Sequence, residues 1–123
     1  QKVDVVADFI PEIEIYGESK GELLILGWGG TYGAIRAAVE KANQNNMPVS
    51  HVHLTYINPL PKNLAEILLK FNKVLIPEIN LGQLSTIIRS KYLIDTIDFN
   101  RVSGKPFTTS DIHDKILQVL EEK

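Results

Sequence analysis

The sequence contains no cysteine among its 123 residues. That excludes disulfides, thiolate nucleophiles and cysteine-held zinc or iron–sulfur clusters within this chain. It suits a reducing compartment, and a cytoplasmic location is expected. Charge of one sign is also lacking. The formal net charge is -2, which points neither to nucleic acid nor to an anionic membrane surface as partner. No apolar run approaches the roughly 20 residues that a membrane-spanning helix needs. An apolar leader is missing too, since Gln1-Lys2-Val3-Asp4 opens an acidic segment, so no signal peptide is expected. Gln1 in place of Met suits a piece cut from a longer protein. There is no internal repeat and no low-complexity segment.

What is present is a hydrophobic share of 44% beside 23% charged residues, enough for one globular domain with a real core. Residues 1–20 read as a linker in which Glu12-Ile13-Glu14-Ile15-Tyr16 alternates like a short edge strand. Residues 21–123 read as a single domain. "ELLILGW" (22–28) is a nearly continuous apolar run bounded by glycine, the pattern of a strand buried on both faces. From Thr31 the period changes: Ile35, Ala38, Val39 and Ala42 mark one face of a helix, and Asn45-Asn46 before Pro48 is its stop.

"VSHVHLTYI" (49–57) predicts the next strand and "NPLP" (58–61) a rigid turn. Leu64, Ile67, Leu68 and Phe71 predict a second helix, with Asn63 and Glu66 at capping spacing. "KVLIPEI" (73–79) follows as a strand. Leu81, Leu84, Ile87 and Ile88 predict a third helix, with Asn80 and Gln83 as its capping pair. "LIDTIDF" (93–99) reads as a fourth strand, and Ile112, Ile116, Val119 and Leu120 as a closing helix. Alternation of this kind predicts an α/β fold: a three-layer α/β/α sandwich on a mostly parallel sheet of about four to five strands.

The turn Gly27-Trp28-Gly29-Gly30-Thr31-Tyr32-Gly33 invites a phosphate-cradle reading, because glycines admit a pyrophosphate to a helix N-terminus. The dinucleotide fingerprint departs in two places. Its third glycine falls on Tyr32, with Gly33 one residue late, and the second strand runs into Tyr56-Ile57-Asn58-Pro59 without an acid. The plainer reading is a tight turn in which Gly33 lets the helix pack closely on the sheet. His51 and His53 share one face of a strand and could be two metal ligands, but no third ligand stands nearby. The plainer reading is a hydrogen-bonded histidine pair. Glu78, Asn80 and Gln83 sit where the third strand meets the third helix, either capping it or facing a ligand or another domain. Three turns, Gly27–Gly33, Asn58–Pro61 and Glu78–Gly82, meet at the strand carboxyl ends, where open parallel sheets place their sites. Lys62, Lys70, Lys73, Arg89, Lys91, Arg101 and Lys105, offset by Glu66, Glu78, Asp95 and Asp98, read as a mixed solvated surface.

Four segments in order, "LLILGWGGTYGAIRAAVEKA", "HVHLTYINPLPKNLAEIL", "VLIPEINLGQLSTIIRSKYL" and "GKPFT", resemble the C-terminal domain of the alpha subunit of 2-oxoacid:ferredoxin oxidoreductases, most like the 2-oxoglutarate enzyme. The resemblance covers about residues 22–107. One departure is Gly30, where Ser is expected before Thr31. The resemblance implies a transketolase C-terminal-like fold. It implies a non-catalytic structural and assembly domain of an enzyme that converts 2-oxoglutarate, CoA and oxidised ferredoxin to succinyl-CoA, CO2 and reduced ferredoxin. Thiamine diphosphate, magnesium and iron–sulfur clusters would lie outside this chain, on the rest of the alpha subunit and on a thiamine-binding beta subunit. The fragment would then be inactive alone and would hold no cofactor or metal. Trp28, Gly29, Thr31, Asn58, Pro59, Glu78, Asn80, Gly82 and Gln83 are the expected crevice or interface residues, none of them catalytic. Two other readings stay open: an independent nucleotide- or CoA-binding module, and an orphan interaction domain without an enzyme partner.

Overall fold

Leu23, Leu24, Ile25 and Leu26 are all fully buried. Consecutive side chains of a strand point to opposite faces, so four buried neighbours require cover on both sides of the sheet. The computed structural model, which describes residues 14–54, 63–78, 83–100 and 106–121 apart from the side chains of Gln83 and Asn100, supplies that cover. The elements are β1 (Gly21–Trp28), a 3-10 turn (Gly29–Thr31), α1 (Tyr32–Gln44), β2 (Val49–Leu54), α2 (Leu64–Leu69), β3 (Phe71–Glu78), α3 (Gln83–Tyr92), β4 (Ile97–Asn100) and α4 (Thr109–Glu121).

The four strands pair in parallel in the order β2-β1-β3-β4. Leu24 and Leu26 join Val52, Leu54, Val74 and Ile76 on one face, packed on Leu64, Ile67 and Leu68 of α2 and Leu84 and Ile88 of α3. Leu23, Ile25, Val49 and Leu75 face the other way, onto Ile35, Ala38, Val39 and Ala42 of α1 and Ile112, Ile116 and Val119 of α4. The α/β/α layering therefore follows from strand alternation meeting two helix pairs. Each fully buried leucine or isoleucine contributes about 1.5–3 kcal/mol. Outside β2, Tyr16 makes an antiparallel bridge to His51.

Helix ends follow their local chemistry. Asn46 takes φ 63° after α1. Met47 N–H donates to the Ala42 carbonyl at 2.9 Å and Asn46 N–H to that of Asn43 at 3.2 Å, the paired bonds of a Schellman exit. At the start of α4, Thr108 N–H donates to Asp111 Oδ2 and Asp111 N–H to Thr108 Oγ1, a reciprocal capping box.

Three expectations change. Phe71 opens β3 opposite Gly21 instead of closing α2. The helix stops at Leu69, and Lys70 N–H turns back to the Ile67 carbonyl. Asn63 makes no side-chain capping bond to α2. The fourth strand begins at Ile97, since residues 93–96 carry the exit from α3 through Leu93 at φ 55°. The rest of the strand and turn read at 55–61, along with Leu81 and Ile79, lies outside the described residues.

Candidate functional site

In a sheet ordered β2-β1-β3-β4 the chain changes direction between β1 and β3, and ligands of open parallel sheets sit beyond the carboxyl ends at that point. β1 ends at Trp28 and β3 at Glu78. Trp28 Nε1–H donates to Glu78 Oε1 at 3.3 Å. The same carboxylate accepts the backbone N–H of Leu84 at 2.7 Å and of Ser85 at 3.2 Å. These are the second and third residues of α3, whose N–H groups have no partner inside the helix. A carboxylate there is also favoured by the helix dipole. Glu78 is buried, so three donors satisfy a charge that would otherwise be costly to bury. Capping was expected from Asn80 and Gln83. Among the described residues Glu78 does it, reaching from the strand across the turn. Asn80 and Gly82 lie outside the described residues, as do Asn58 and Pro59 and the side chain of Gln83.

The first turn is tied down from both sides. Thr31, buried, donates its hydroxyl to the Trp28 carbonyl at 3.1 Å. His53 Nε2, on β2, bonds the Gly29 carbonyl at 3.1 Å, so this nitrogen carries the proton. Gly29 holds φ 68°, a left-handed conformation that glycine adopts without penalty. Trp28, Gly29, Thr31 and Glu78 are thus brought together, with His53 added to them.

The close approach of helix to sheet falls on Gly27, not on Gly33. A Cβ at Gly27 would lie 2.5 Å from Ile35 Cδ1 and 3.0 Å from His53 Nδ1. At Gly30 and Gly33 it would meet nothing within 4 Å. Gly33 is an exposed helical residue of α1, so packing among the described residues does not explain it.

His51 and His53 stand edge to face, ring centroids 5.5 Å apart, and Tyr32 of α1 lies against both, at 5.7 and 5.1 Å. Arg36, one helical turn after Tyr32, places its guanidinium 3.9 Å from the Tyr16 ring centre and donates Nε–H to His51 Nδ1 at 3.5 Å. Burial, then His53, then Arg36 push the His51 pKa down to about 3. Burial, with Arg36 opposing the Gly29 bond, lowers that of His53. Both imidazoles are therefore neutral near neutral pH. Arg36 takes only Nδ1 of His51; His51 Nε2 and His53 Nδ1 are buried without a hydrogen-bond partner among the described residues, so the two rings do not bond each other. The described residues contain no group of three metal-ligating side chains. The histidine pair is the interior of an aromatic cluster under the first turn. That Arg36, Tyr16 and Tyr32 are its partners was not read from the sequence, although the Tyr32–Arg36 spacing was a usable sign.

A second polar network links α3 to β4. Ser85 Oγ lies 2.8 Å from Thr96 Oγ1, and both hydroxyls bond Asp98 Oδ1. Arg89 donates Nε–H to Thr96 Oγ1 at 2.9 Å and Nη2–H to the Thr96 carbonyl at 2.7 Å. Arg89 and Asp98, read as surface charge, instead fasten the edge strand.

No family model matches the chain. Over 104 residues, 84% of its length, it is 41% identical to the 2-oxoglutarate oxidoreductase subunit KorA of Mycobacterium tuberculosis. The chain is homologous to 2-oxoacid:ferredoxin oxidoreductase alpha subunits. The alpha subunit of 2-oxoacid:ferredoxin oxidoreductase 1 from Aeropyrum pernix is 26% identical over 98% of the chain. The chain spans 16% and 20% of the lengths of these two relatives. Among solved structures, 2-oxoglutarate:ferredoxin oxidoreductase from Magnetococcus marinus superposes with TM-score 0.89 at 28% identity, covering 95% of this chain and 21% of that one. A split-gene transketolase, 16% identical over 92% of this chain and 43% of that one, superposes at TM-score 0.69 and shows the shared transketolase-like fold. The chain thus matches about a fifth of the length of these oxidoreductase subunits.

Proposed function

We propose that this chain is the transketolase C-terminal-like domain of a 2-oxoglutarate:ferredoxin oxidoreductase alpha subunit and that its role is structural and assembling, without catalytic residues of its own. The observation that carries this is the 41% identity to a subunit named for 2-oxoglutarate. The Magnetococcus marinus structure, described with 2-oxoglutarate, coenzyme A and succinyl-CoA bound, supports the same substrate. The full enzyme would release the 2-oxoglutarate carboxylate as CO2, join the acyl carbon to the CoA thiol and pass two electrons to ferredoxin.

The donor set of this chain does not fit an iron–sulfur cluster. It has no cysteine to hold an iron–sulfur cluster, and its described residues form no group of three metal ligands. Thiamine diphosphate, magnesium and the clusters would belong to the rest of the alpha subunit and to a thiamine-binding beta subunit. Trp28, Gly29, Thr31 and Glu78, with Asn58, Pro59, Asn80, Gly82 and Gln83, would form the edge that meets those neighbours. Glu78 spends its hydrogen-bonding capacity inside the domain, which supports a shaping role over a chemical one. Residues 1–20 would be a linker with an edge strand, and 21–123 the domain; β1 starts at Gly21, and the bridge from Tyr16 to β2 supports the edge strand. No helix among the described residues is long and apolar enough to cross a membrane, and a cytoplasmic site is part of the proposal.

The test is a pull-down with a tag on the full-length parent subunit, from cells grown without oxygen. Reduction of a low-potential dye that needs both 2-oxoglutarate and CoA supports the reading. Co-purifying subunits that reduce dye with no 2-oxoacid would overturn the reaction class. Isolation of the tagged subunit alone would favour an independent binding or interaction module.

A further inference from the structure

Charges at the sheet are answered within the domain in two places. Glu78 meets three N–H donors, and Arg89 meets Thr96 and Asp98. Arg36 is different. Its guanidinium is held between two ring faces, 3.9 Å from the centre of Tyr16 and 5.0 Å from that of Tyr32. Its Nε–H is directed at a neutral imidazole, His51. No carboxylate pairs with it among the described residues. Exposed Glu40 stands one helical turn on, but helical side chains lean toward the amino end, which carries Arg36 away from it.

The donors left over form a cluster. With Nε spent on His51, the Nη groups of Arg36 have no acceptor among the described residues. The phenols of Tyr16 and Tyr32 have no hydrogen-bond partner there either. Tyr32 is 45% exposed and Arg36 partly so, so the cluster opens to solvent. The fold builds it from two elements: Tyr32 and Arg36 lie one turn apart on α1, and the antiparallel bridge to His51 brings Tyr16 beside them. Two rings and an imidazole already fix the guanidinium, so little rotamer freedom is left to lose on binding. Its planar Nη pair matches two oxygens of a carboxylate or a phosphoryl group.

We infer that Arg36, Tyr16 and Tyr32 form a binding site for the oxyanion group, carboxylate or phosphate, of a soluble ligand. The ligand is read from the donors: one cation, two phenolic O–H groups and no acidic side chain among them select a single negative group with several acceptor oxygens. A cluster of this size meets one such group, not the broad surface that a protein partner presents. Charge-assisted bonds at a partly exposed site give dissociation constants on the order of 1 mM. The inference stands on the cluster itself and holds whichever reaction the parent subunit serves.

The test is native amide exchange of the full-length parent subunit, read by peptide mass spectrometry, with inorganic phosphate or glutarate at about 10 mM and chloride holding the ionic strength constant. Exchange through local opening slows by the factor by which ligand favours the closed form, about tenfold for a millimolar site at this concentration. Slowing of that order is expected in the peptides that carry Tyr16 and Arg36, and its loss is expected in Arg36→Gln. Slowing with phosphate alone identifies a phosphorylated ligand, and with glutarate alone a carboxylate. Equal slowing in wild type and Arg36→Gln would overturn the proposal. So would slowing below about twofold with both anions, the result expected if the guanidinium serves packing only or if a carboxylate of another chain already holds it. If Arg36→Gln fails to fold, the double variant Tyr16→Phe, Tyr32→Phe decides. It keeps both ring faces and removes only the hydroxyl donors, and about three- to tenfold weaker binding is expected. Unchanged affinity in that variant would overturn the site.

Discussion

Trp28 and Glu78, 50 residues apart in sequence, are joined by one indole-to-carboxylate hydrogen bond of 3.3 Å across the ends of β1 and β3. The same carboxylate caps α3. One side chain thus fixes both the sheet edge and the helix that leaves it.

Glu78→Ala removes the acceptor for three donors, two of them backbone N–H groups in a buried setting. Hydrogen bonds to charged groups contribute about 1.5–3 kcal/mol each, and orphaned donors add a penalty. A loss of about 3 kcal/mol in urea unfolding is expected. Glu78→Gln keeps an acceptor and should lose about half as much. Trp28 is the sole tryptophan, so its fluorescence should shift to the red in Glu78→Ala before any unfolding. An unmoved spectrum would argue against the contact.

The glycines should separate by location. Gly27→Ala drives a methyl into Ile35 and His53 and should destabilise by about 1–3 kcal/mol. Gly29→Ala should cost about 1 kcal/mol through its positive φ. Gly33→Ala should stabilise α1 by roughly 0.5–1 kcal/mol, because the site is helical and open. Thermal melts of the three variants check the order. If Gly33→Ala is stable yet weakens association with partner subunits, the outward face of the turn is an interface.

Acid should destabilise the domain through His51. Its folded pKa is about 3 against 6.5 when unfolded. Between those values the unfolded chain binds a proton that the folded chain refuses, so stability falls as pH falls. The full contribution is present above pH 6.5 and declines toward pH 3, at up to about 1.4 kcal/mol per pH unit for one group. The groups facing His51 are His53 on its own strand, Tyr32 and Arg36 from α1, and Tyr16 from the bridging segment. Urea titrations from pH 7 to 4 should show this slope, and His51→Leu should reduce it. An equal slope in the variant would place the acid sensitivity elsewhere.

Thr96→Val tests the α3–β4 network. It leaves Ser85 and Arg89 without one shared oxygen and should cost about 1–3 kcal/mol. Amide exchange should rise first along β4, the edge strand, where only β3 supplies pairing among the described residues. Uniform acceleration across the sheet would instead mean a global effect.

The sequence by itself determined the alternation of strand and helix and the buried face of each. Ile35, Ala38, Val39 and Ala42 had to share a face, and Leu23–Leu26 had to be covered twice, because periodicity reports burial directly. Its motif blocks also pointed to the homologous subunits. Only the tertiary structure decided that Glu78 caps α3, that Gly27 rather than Gly33 marks the close approach, and that Phe71 begins a strand. It also placed Arg36 over the histidines. These depend on single hydrogen bonds and contacts, some as near as Glu78 to Leu84 and others as distant as Gly21 to Phe71, and a contact that occurs once leaves no period to read. A strand of two buried faces can be seen in seven letters, but which carboxylate turns back onto which helix is settled by the geometry of the folded turn.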